Sequence, residues 1–513
     1  MVEKEYTKIP TKESGIEKKP DPPTYGYGVR HVQAFIIFIT YTIAYLARGH
    51  LGVTIVAMTN EVETRDIENV TELINGTDLN RTLHNISVSE DSIWNIYRTY
   101  KWPKSTQEMV LTSFFVGYCV MTFLSGIICQ RWGGKIPLQI AMLVNGVVSI
   151  LSPWVVAWGG WKALSACRIL QGLSQGGMLP GIHTLLANWM PLSERGSLSS
   201  YVYTGSGLGT VIGFQFSGLL AYSRFGWPST FWVIGVVSLL GFGLISIFGA
   251  ATPDDHKTIS EEEKNYIFGG ASEGTHTQPQ VPWKQILTSR HIWGTFMAHV
   301  GNAIAYTFFF MQVPTYMYAI LKVNIKNSGL LSSLPYISFV ITCIFFGYFS
   351  DILVNKKFMT MKNVRRLGNS IGSFGPGIVL GLVSYTNNVS VAVICFVTAL
   401  GTQSAMHSGW VVNYIDLSPN YSGVLMAIGN GLANFSVLIL PVMVANIVKD
   451  VTNQLHWRMM MFIIAGITIF GNVLFVIFLS TDVQPWNEGK CKESDNSQDK
   501  LEKSNGTTEK LKI

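Results

Sequence analysis

Apolar runs of about twenty residues recur along this chain, separated by short polar turns, and they fall at about 34–58, 109–129, 136–157, 164–186, 201–222, 230–250, 292–314, 329–350, 367–385, 391–414, 423–446 and 458–480. Each run, wound as a helix, is long enough to cross a hydrocarbon core of roughly 30 Å. The pattern predicts an all-α, polytopic membrane protein with twelve transmembrane helices, called spans 1 to 12 below. Residues 1–33 read as a polar cytoplasmic tail. A first six-helix bundle then occupies 34–250, a cytoplasmic linker 251–291, a second six-helix bundle 292–480, and a second cytoplasmic tail 481–513.

The long polar loop at 59–108 carries glycosylation sequons at Asn69, Asn75, Asn80 and Asn85. Four in one loop predict a glycoprotein with that loop outside, and therefore with both termini inside. The loop between spans 8 and 9 carries Lys356, Lys357, Lys362, Arg365 and Arg366. That places it inside by the positive-inside rule, in agreement with the sequons. In the linker, Ile259-Ser-Glu-Glu-Glu-Lys264 is a helix start with Ser260 as N-cap. The first apolar run reads as a full span and not as a cleavable signal.

Composition sharpens the class. With 48% hydrophobic and 13% charged residues, the chain has too few charges for a soluble protein of 513 residues. Its net charge of +6 is scattered through tails and loops without a basic patch, so nucleic acid is not an expected partner. The expected partners are the lipid bilayer and a small anionic substrate, and the protein is expected to work as a monomer. Five cysteines lie in apolar runs and Cys491 lies in the tail, so neither disulfides nor structural zinc are expected. No nucleophile triad, metal-ligand cluster or phosphate-binding glycine loop is present in the sequence, which predicts neither an enzyme nor a resident cofactor.

The chemistry concentrates in Cys167–Trp189, an apolar stretch that carries Arg168, Gln171, Gln175 and His183 and is loosened by Gly176, Gly177, Pro180 and Gly181. Arg168, Gln171 and Gln175 follow i, i+3, i+7 spacing and share one helix face. A charged side chain inside a membrane is costly and usually faces a pocket. The alternative is helix-to-helix glue, in which amides and small residues tie spans together. Span 1 adds Arg48 and His50 in its outer half, whereas no Asp or Glu lies well inside any span. Buried cations without acids call for an anion, and the planar guanidinium fork suits carboxylate or phosphate.

Coupling has two candidate chemistries. Proton coupling would use His183, or His50, His299 or His407. Sodium would need hard oxygen ligands, for which Gly205-Ser206-Gly207, Asn430 and Asn434 are candidates, although such glycines also mark close packing.

An internal repeat supports the two-bundle division. Span 2 leaves through Gly126-Ile-Ile-Cys-Gln130-Arg131, and span 8 through Gly347-Tyr-Phe-Ser-Asp351. The repeated pattern of a small residue followed by polar groups predicts close helix approach and a gating lock at the inner face, with substrate near the midplane between the halves.

Several stretches, in order, carry a resemblance: Arg48-Gly-His-Leu-Gly-Val in span 1, Ser113-Phe-Phe-Val-Gly-Tyr118 in span 2, Arg168 to Trp189 leading into Pro191-Leu-Ser-Glu-Arg-Gly, Ser328-Gly-Leu-Leu-Ser-Ser-Leu-Pro-Tyr, Pro419-Asn-Tyr-Ser-Gly and Val483-Gln-Pro-Trp-Asn. Over about residues 30–487 the chain resembles the anion-cation symporter branch of the major facilitator superfamily, which includes type I sodium-phosphate cotransporters, sialin and vesicular glutamate transporters. The resemblance implies alternating-access transport of an anion, with Arg48 and Arg168 in its binding. Asn302 and Tyr306 of span 7 complete the expected substrate set with Gln171, Gln175 and His183. The chain departs from glutamate transporters at Gln175, Leu111 and Asn302, where they carry Glu, His and Arg, and from the usual inner-face Asp at Gln130.

The expectation is therefore a secondary active symporter for inorganic phosphate or a small organic anion, with sodium as the coupling ion. It is placed at the plasma membrane in preference to a vesicular or lysosomal one. The rivals are a proton- or voltage-coupled vesicular organic-anion carrier and a non-transporting receptor or scaffold.

Overall fold

The computed structural model describes residues 26–59, 96–221, 223, 225–268, 281–322, 325–450 and 452–488. The sequons at Asn69, Asn75, Asn80 and Asn85 lie outside the described residues, as does most of both tails. Helices occupy every one of the twelve expected segments, and no strand occurs among the described residues. Seven helical stretches there are long and apolar enough to cross a membrane, the longest being Lys135–Trp189, which contains spans 3 and 4. Spans 5, 7, 9 and 11 are helical but more polar or interrupted.

Span 1 is Val29–Thr59 and span 2 is Lys104–Trp132. The short turn expected between spans 3 and 4 is a single break at Gly160 in helix that otherwise runs from Lys135 to Gln175; its φ of 59° is left-handed and suits only a residue without Cβ. Span 4 pauses at Gly176-Gly177 and resumes as Met178–Trp189. Spans 5 and 6 are Arg195–Ala221 and Pro228–Phe248. In the second half, spans 7, 8 and 9 are Arg290–Ala319, Ile325–Asn355 and Met361–Val383. Span 10 is expected as one helix but is broken: Val389–Gln403, a 3₁₀ segment Ser404–Ser408, and Trp410–Leu417. Span 11 is divided into Ser422–Val437 and Ile439–Ile447, and span 12 is Gln454–Phe478.

Glycines decide where the spans meet most closely. A Cβ on Gly117 would lie 2.1 Å from the Ile169 carbonyl oxygen, and one on Gly172 would lie 2.0 Å from that of Phe114. Spans 2 and 4 therefore touch backbone to backbone, and any side chain there would force them apart. The repeated inner motif does the same between halves: Gly126 lies against Val424 and Ala427 of span 11, and Gly347 against Gly196 and Ser200 of span 5. Gly205 and Gly207 pack on Phe38 and Thr42 of span 1 and on Phe339 and Val340 of span 8, so this glycine pair is a packing feature.

The linker forms the expected helix, Glu261–Phe268, with the Glu263 amide donating to Ser260 Oγ at 3.2 Å. A further short helix, Trp283–Thr288, precedes span 7. The Glu263 carboxylate reaches span 1, accepting from the backbone amides of Val29 and Arg30, each at 3.0 Å. Arg30, fully buried, also pairs with Glu263 at 3.2 Å and with Glu194 at 2.7 Å. The linker is thus clamped to the start of span 1 and to the turn between spans 4 and 5. The same turn meets the second half, where Asp351 accepts from the amides of Gly196 at 3.1 Å and Ser197 at 2.6 Å. Asp416, buried, pairs with Arg365 at 2.7 Å and with Arg195 at 3.2 Å. These contacts hold the two halves together at the linker end.

Candidate substrate site

The close approach of spans 2 and 4 sets Phe114 and Tyr118 against Arg168, Gln171 and Gln175. Arg168 is 3% exposed; its guanidinium lies 4.8 Å from the Phe114 ring centroid and donates to Gln171 Oε1 at 3.1 Å and to the Arg48 carbonyl at 3.3 Å. Arg48 shares that ring at 5.2 Å and lies 4.6 Å from the Tyr45 ring and 4.8 Å from that of Tyr118. Its Nη2 donates to Gln175 Oε1 at 3.2 Å. A guanidinium over an aromatic face gains about 0.5–2 kcal/mol, which offsets part of its desolvation without neutralising it.

The amides around the arginines are themselves held. Gln171 donates to Ser149 Oγ at 3.1 Å, and Gln175 to Asn145 Oδ1 at 3.0 Å. Their oxygens are thereby turned toward the guanidinium groups. Neither arginine forms an ion pair with a described acid, and the Nε atoms of Arg48 and Arg168 have no hydrogen-bond partner. The result is a pair of guanidinium groups, Arg168 buried and Arg48 half-buried, with open donors that can bind an anion by charge and by paired hydrogen bonds.

The expected residues do not all gather here. Arg48, Arg168, Gln171 and Gln175 form one network. Tyr306, from the opposite half, packs on Tyr336 and Phe339. Asn302, one turn earlier, bonds to the Ala298 carbonyl at 3.0 Å and to Ser373 Oγ at 3.4 Å.

Asn430 donates to the Tyr118 hydroxyl at 2.9 Å and is itself held by Asn434 at 2.9 Å, so this pair touches the arginine network through Tyr118. His183 is outside the network. Its Nε2 meets the Val411 carbonyl at 3.1 Å and its Nδ1 meets the Tyr203 hydroxyl, which bridges the halves between spans 4, 5 and 10. Of the residues expected to gate, Gly126, Gly347 and Asp351 form cross-half contacts, while Arg131 is exposed beside Trp132.

Sequence reasoning missed the aromatic floor of Tyr45, Phe114 and Tyr118 and the supporting Asn145 and Ser149. Phe114 and Tyr118 lie one turn apart and flank Gly117, so a glycine flanked by aromatics was a usable signal.

The chain matches the Major Facilitator Superfamily over residues 37–441, and it belongs to that superfamily. It is thus an integral, multi-pass membrane protein of a transporter class and not an enzyme. It is 32% identical over 480 residues to the "Putative inorganic phosphate cotransporter" of Drosophila melanogaster, covering 92% of this chain and 88% of that one. Sialin of Homo sapiens is 30% identical over 460 residues, with 89% and 90% covered, and vesicular glutamate transporter 1 of Xenopus tropicalis is 30% identical over 487 residues, with 93% and 79% covered. Within the superfamily, these relatives put the chain in the anion-cation symporter branch. The solved structure of the proton:xylose symporter XylE aligns with a TM-score of 0.60 at 15% identity, covering 89% of this chain and 98% of that one; at that identity it shares the fold.

Proposed function

We propose that this protein is a secondary active symporter that carries inorganic phosphate or a small organic anion into the cell, driven by sodium, at the plasma membrane. The observation that carries the reading is the pair Arg48 and Arg168, which share the Phe114 ring, lack a carboxylate partner among the described residues and keep unpaired Nε donors. A buried Arg168 beside a half-buried Arg48, with no acid between them, is expensive, and a bound anion is their natural counter-charge. The name of the Drosophila melanogaster relative supports phosphate as the first substrate to test. Sodium is favoured because Gln175 stands in the arginine network as an amide held by Asn145, so this wall of the site offers no carboxylate to take up a proton.

Uptake of labelled phosphate into proteoliposomes under an imposed sodium gradient tests the proposal. Sodium-dependent uptake that is abolished in Arg168→Ala supports it. Carboxylate uptake driven by a proton gradient and indifferent to sodium overturns the coupling. That second reading, a proton-coupled organic-anion carrier, draws on His183, which meets the Val411 carbonyl of the other half and the Tyr203 hydroxyl of its own. Replacing His183 by Gln would then remove pH dependence.

A further inference from the structure

We propose that the interruption of span 10, together with spans 7 and 9, forms a binding site for a monovalent alkali cation, with the side-chain oxygens of Asn302 and Gln403 as its ligands and Ser373 beside them. The proposal rests on the sodium-coupled reading above and gives that ion a location.

Asn302 Oδ1 and Gln403 Oε1 are buried acceptors without a hydrogen-bond partner, on residues 1% and 0% exposed. Leaving a buried acceptor unpaired costs about 1–3 kcal/mol, so each calls for a donor or a cation, and the two residues are in contact through the bond from the Gln403 amide to the Asn302 carbonyl. Their orientation is set by neighbours that can only accept. Asn302 Nδ2 donates to the Ala298 carbonyl at 3.0 Å, and Gln403 Nε2 donates to the Asn302 carbonyl at 3.1 Å. Flipping either amide would set oxygen against oxygen, so the oxygens are the free ends.

Ser373 Oγ accepts from Asn302 Nδ2 at 3.4 Å, which brings span 9 to the same place. One turn earlier on that span, Asn369, fully buried, holds a third unpaired oxygen, Oδ1, while its Nδ2 donates to Asn472 Oδ1 at 2.8 Å.

The backbone agrees with the side chains. The α-helix of span 10 stops at Gln403, continues as 3₁₀ turns over Ser404–Ser408, and leaves helical geometry at Gly409, with φ −101° and ψ −113°. Interrupted transmembrane helices at the midplane are where transporters hold small cations with neutral oxygens. Amide and hydroxyl oxygens are hard ligands that suit sodium and offer no thiolate or imidazole for a transition metal. The other amide pair considered for this role is already engaged, since Asn430 donates to Tyr118 and accepts from Asn434.

Equilibrium binding of ²²Na⁺ to the purified full-length protein, paired with phosphate uptake against sodium concentration in proteoliposomes, tests the site. Saturable sodium binding is expected in the wild type. Gln403→Leu should raise the half-saturating sodium concentration at least tenfold, and Gln403→Glu, which keeps an oxygen in place, should retain binding. If Gln403→Leu does not purify as a folded protein, Asn302→Ala removes the other oxygen and is read in the same way. Absence of sodium binding in the wild type, or wild-type affinity in the folded variant, overturns the site. Sodium binding that Gln403→Leu abolishes, with wild-type uptake indifferent to sodium, sustains the site and defeats only the coupling reading.

Discussion

Asn430 of span 11 donates a hydrogen bond to the hydroxyl of Tyr118 in span 2 at 2.9 Å, joining the two halves beside the ring that faces Arg48. Asn434 holds the Asn430 oxygen, so the amide can present only its NH₂ to Tyr118. Anything that moves Arg48 or Tyr118 is therefore felt across the interface.

Tyr118→Phe and Asn430→Ala should each lower maximal uptake roughly fivefold, the equivalent of one neutral hydrogen bond of about 1 kcal/mol. The double variant should be no worse than the poorer single one, because both remove the same bond. Initial-rate uptake for the three variants measures this, and additive losses would separate the two residues.

Arg168→Lys should lose most uptake while reaching the membrane normally. Lysine keeps the charge but not the fork that donates to both Gln171 Oε1 and the Arg48 carbonyl. A drop in anion affinity of about a hundredfold is expected, in line with the roughly 2–5 kcal/mol lost when one member of a buried charged pair is altered. Competition binding, with surface biotinylation as control, reads it out.

Asp351→Asn should weaken closure at the linker end. The carboxylate accepts from the Gly196 and Ser197 amides at the start of span 5, where negative charge is favoured by about 0.5–2 kcal/mol. Cysteines introduced along the neighbouring spans should react faster with a water-soluble maleimide in the variant. Unchanged labelling would remove Asp351 from the gate.

Gly347→Val should separate spans 5 and 8, since even a Cβ there would lie 2.5 Å from that of Ser200. Closure rather than folding should suffer, giving transport loss with a thermal midpoint near that of the wild type. Scanning fluorimetry alongside uptake checks both.

Arg30→Gln should destabilise the fold by about 1–3 kcal/mol, because Glu263 would keep only the Val29 and Arg30 amides and the partly exposed Glu194 would lose its cation. Pairing it with Glu263→Gln should recover part of the loss. Thermal midpoints of the two single variants and the double variant decide.

Much of this was legible in the chain itself. Hydrophobic run length is a local property, so all twelve helical segments and the linker helix capped by Ser260 could be read before any contact was known. Helical spacing likewise put Arg168, Gln171 and Gln175 on one buried face. The breaks were unevenly legible. Gly160 falls in the gap already read between spans 3 and 4, whereas the unwinding after Gln403 lies inside a run whose apolar residues continue past it.

The class of protein and the positive sign of its candidate site follow from the chain, because membrane crossing and the absence of intramembrane acids depend only on which residues occur in which run. Which side chains meet follows from how the helices pack. His183 left the arginine network for the Tyr203 hydroxyl, Asn430 joined it through Tyr118, and the Asn302 carbonyl met Gln403 at the break in span 10. The physical reason is that these contacts link residues far apart in the chain through the rotation and spacing of whole helices. Those are set by glycine contacts such as Gly117 on Ile169, which no local periodicity encodes.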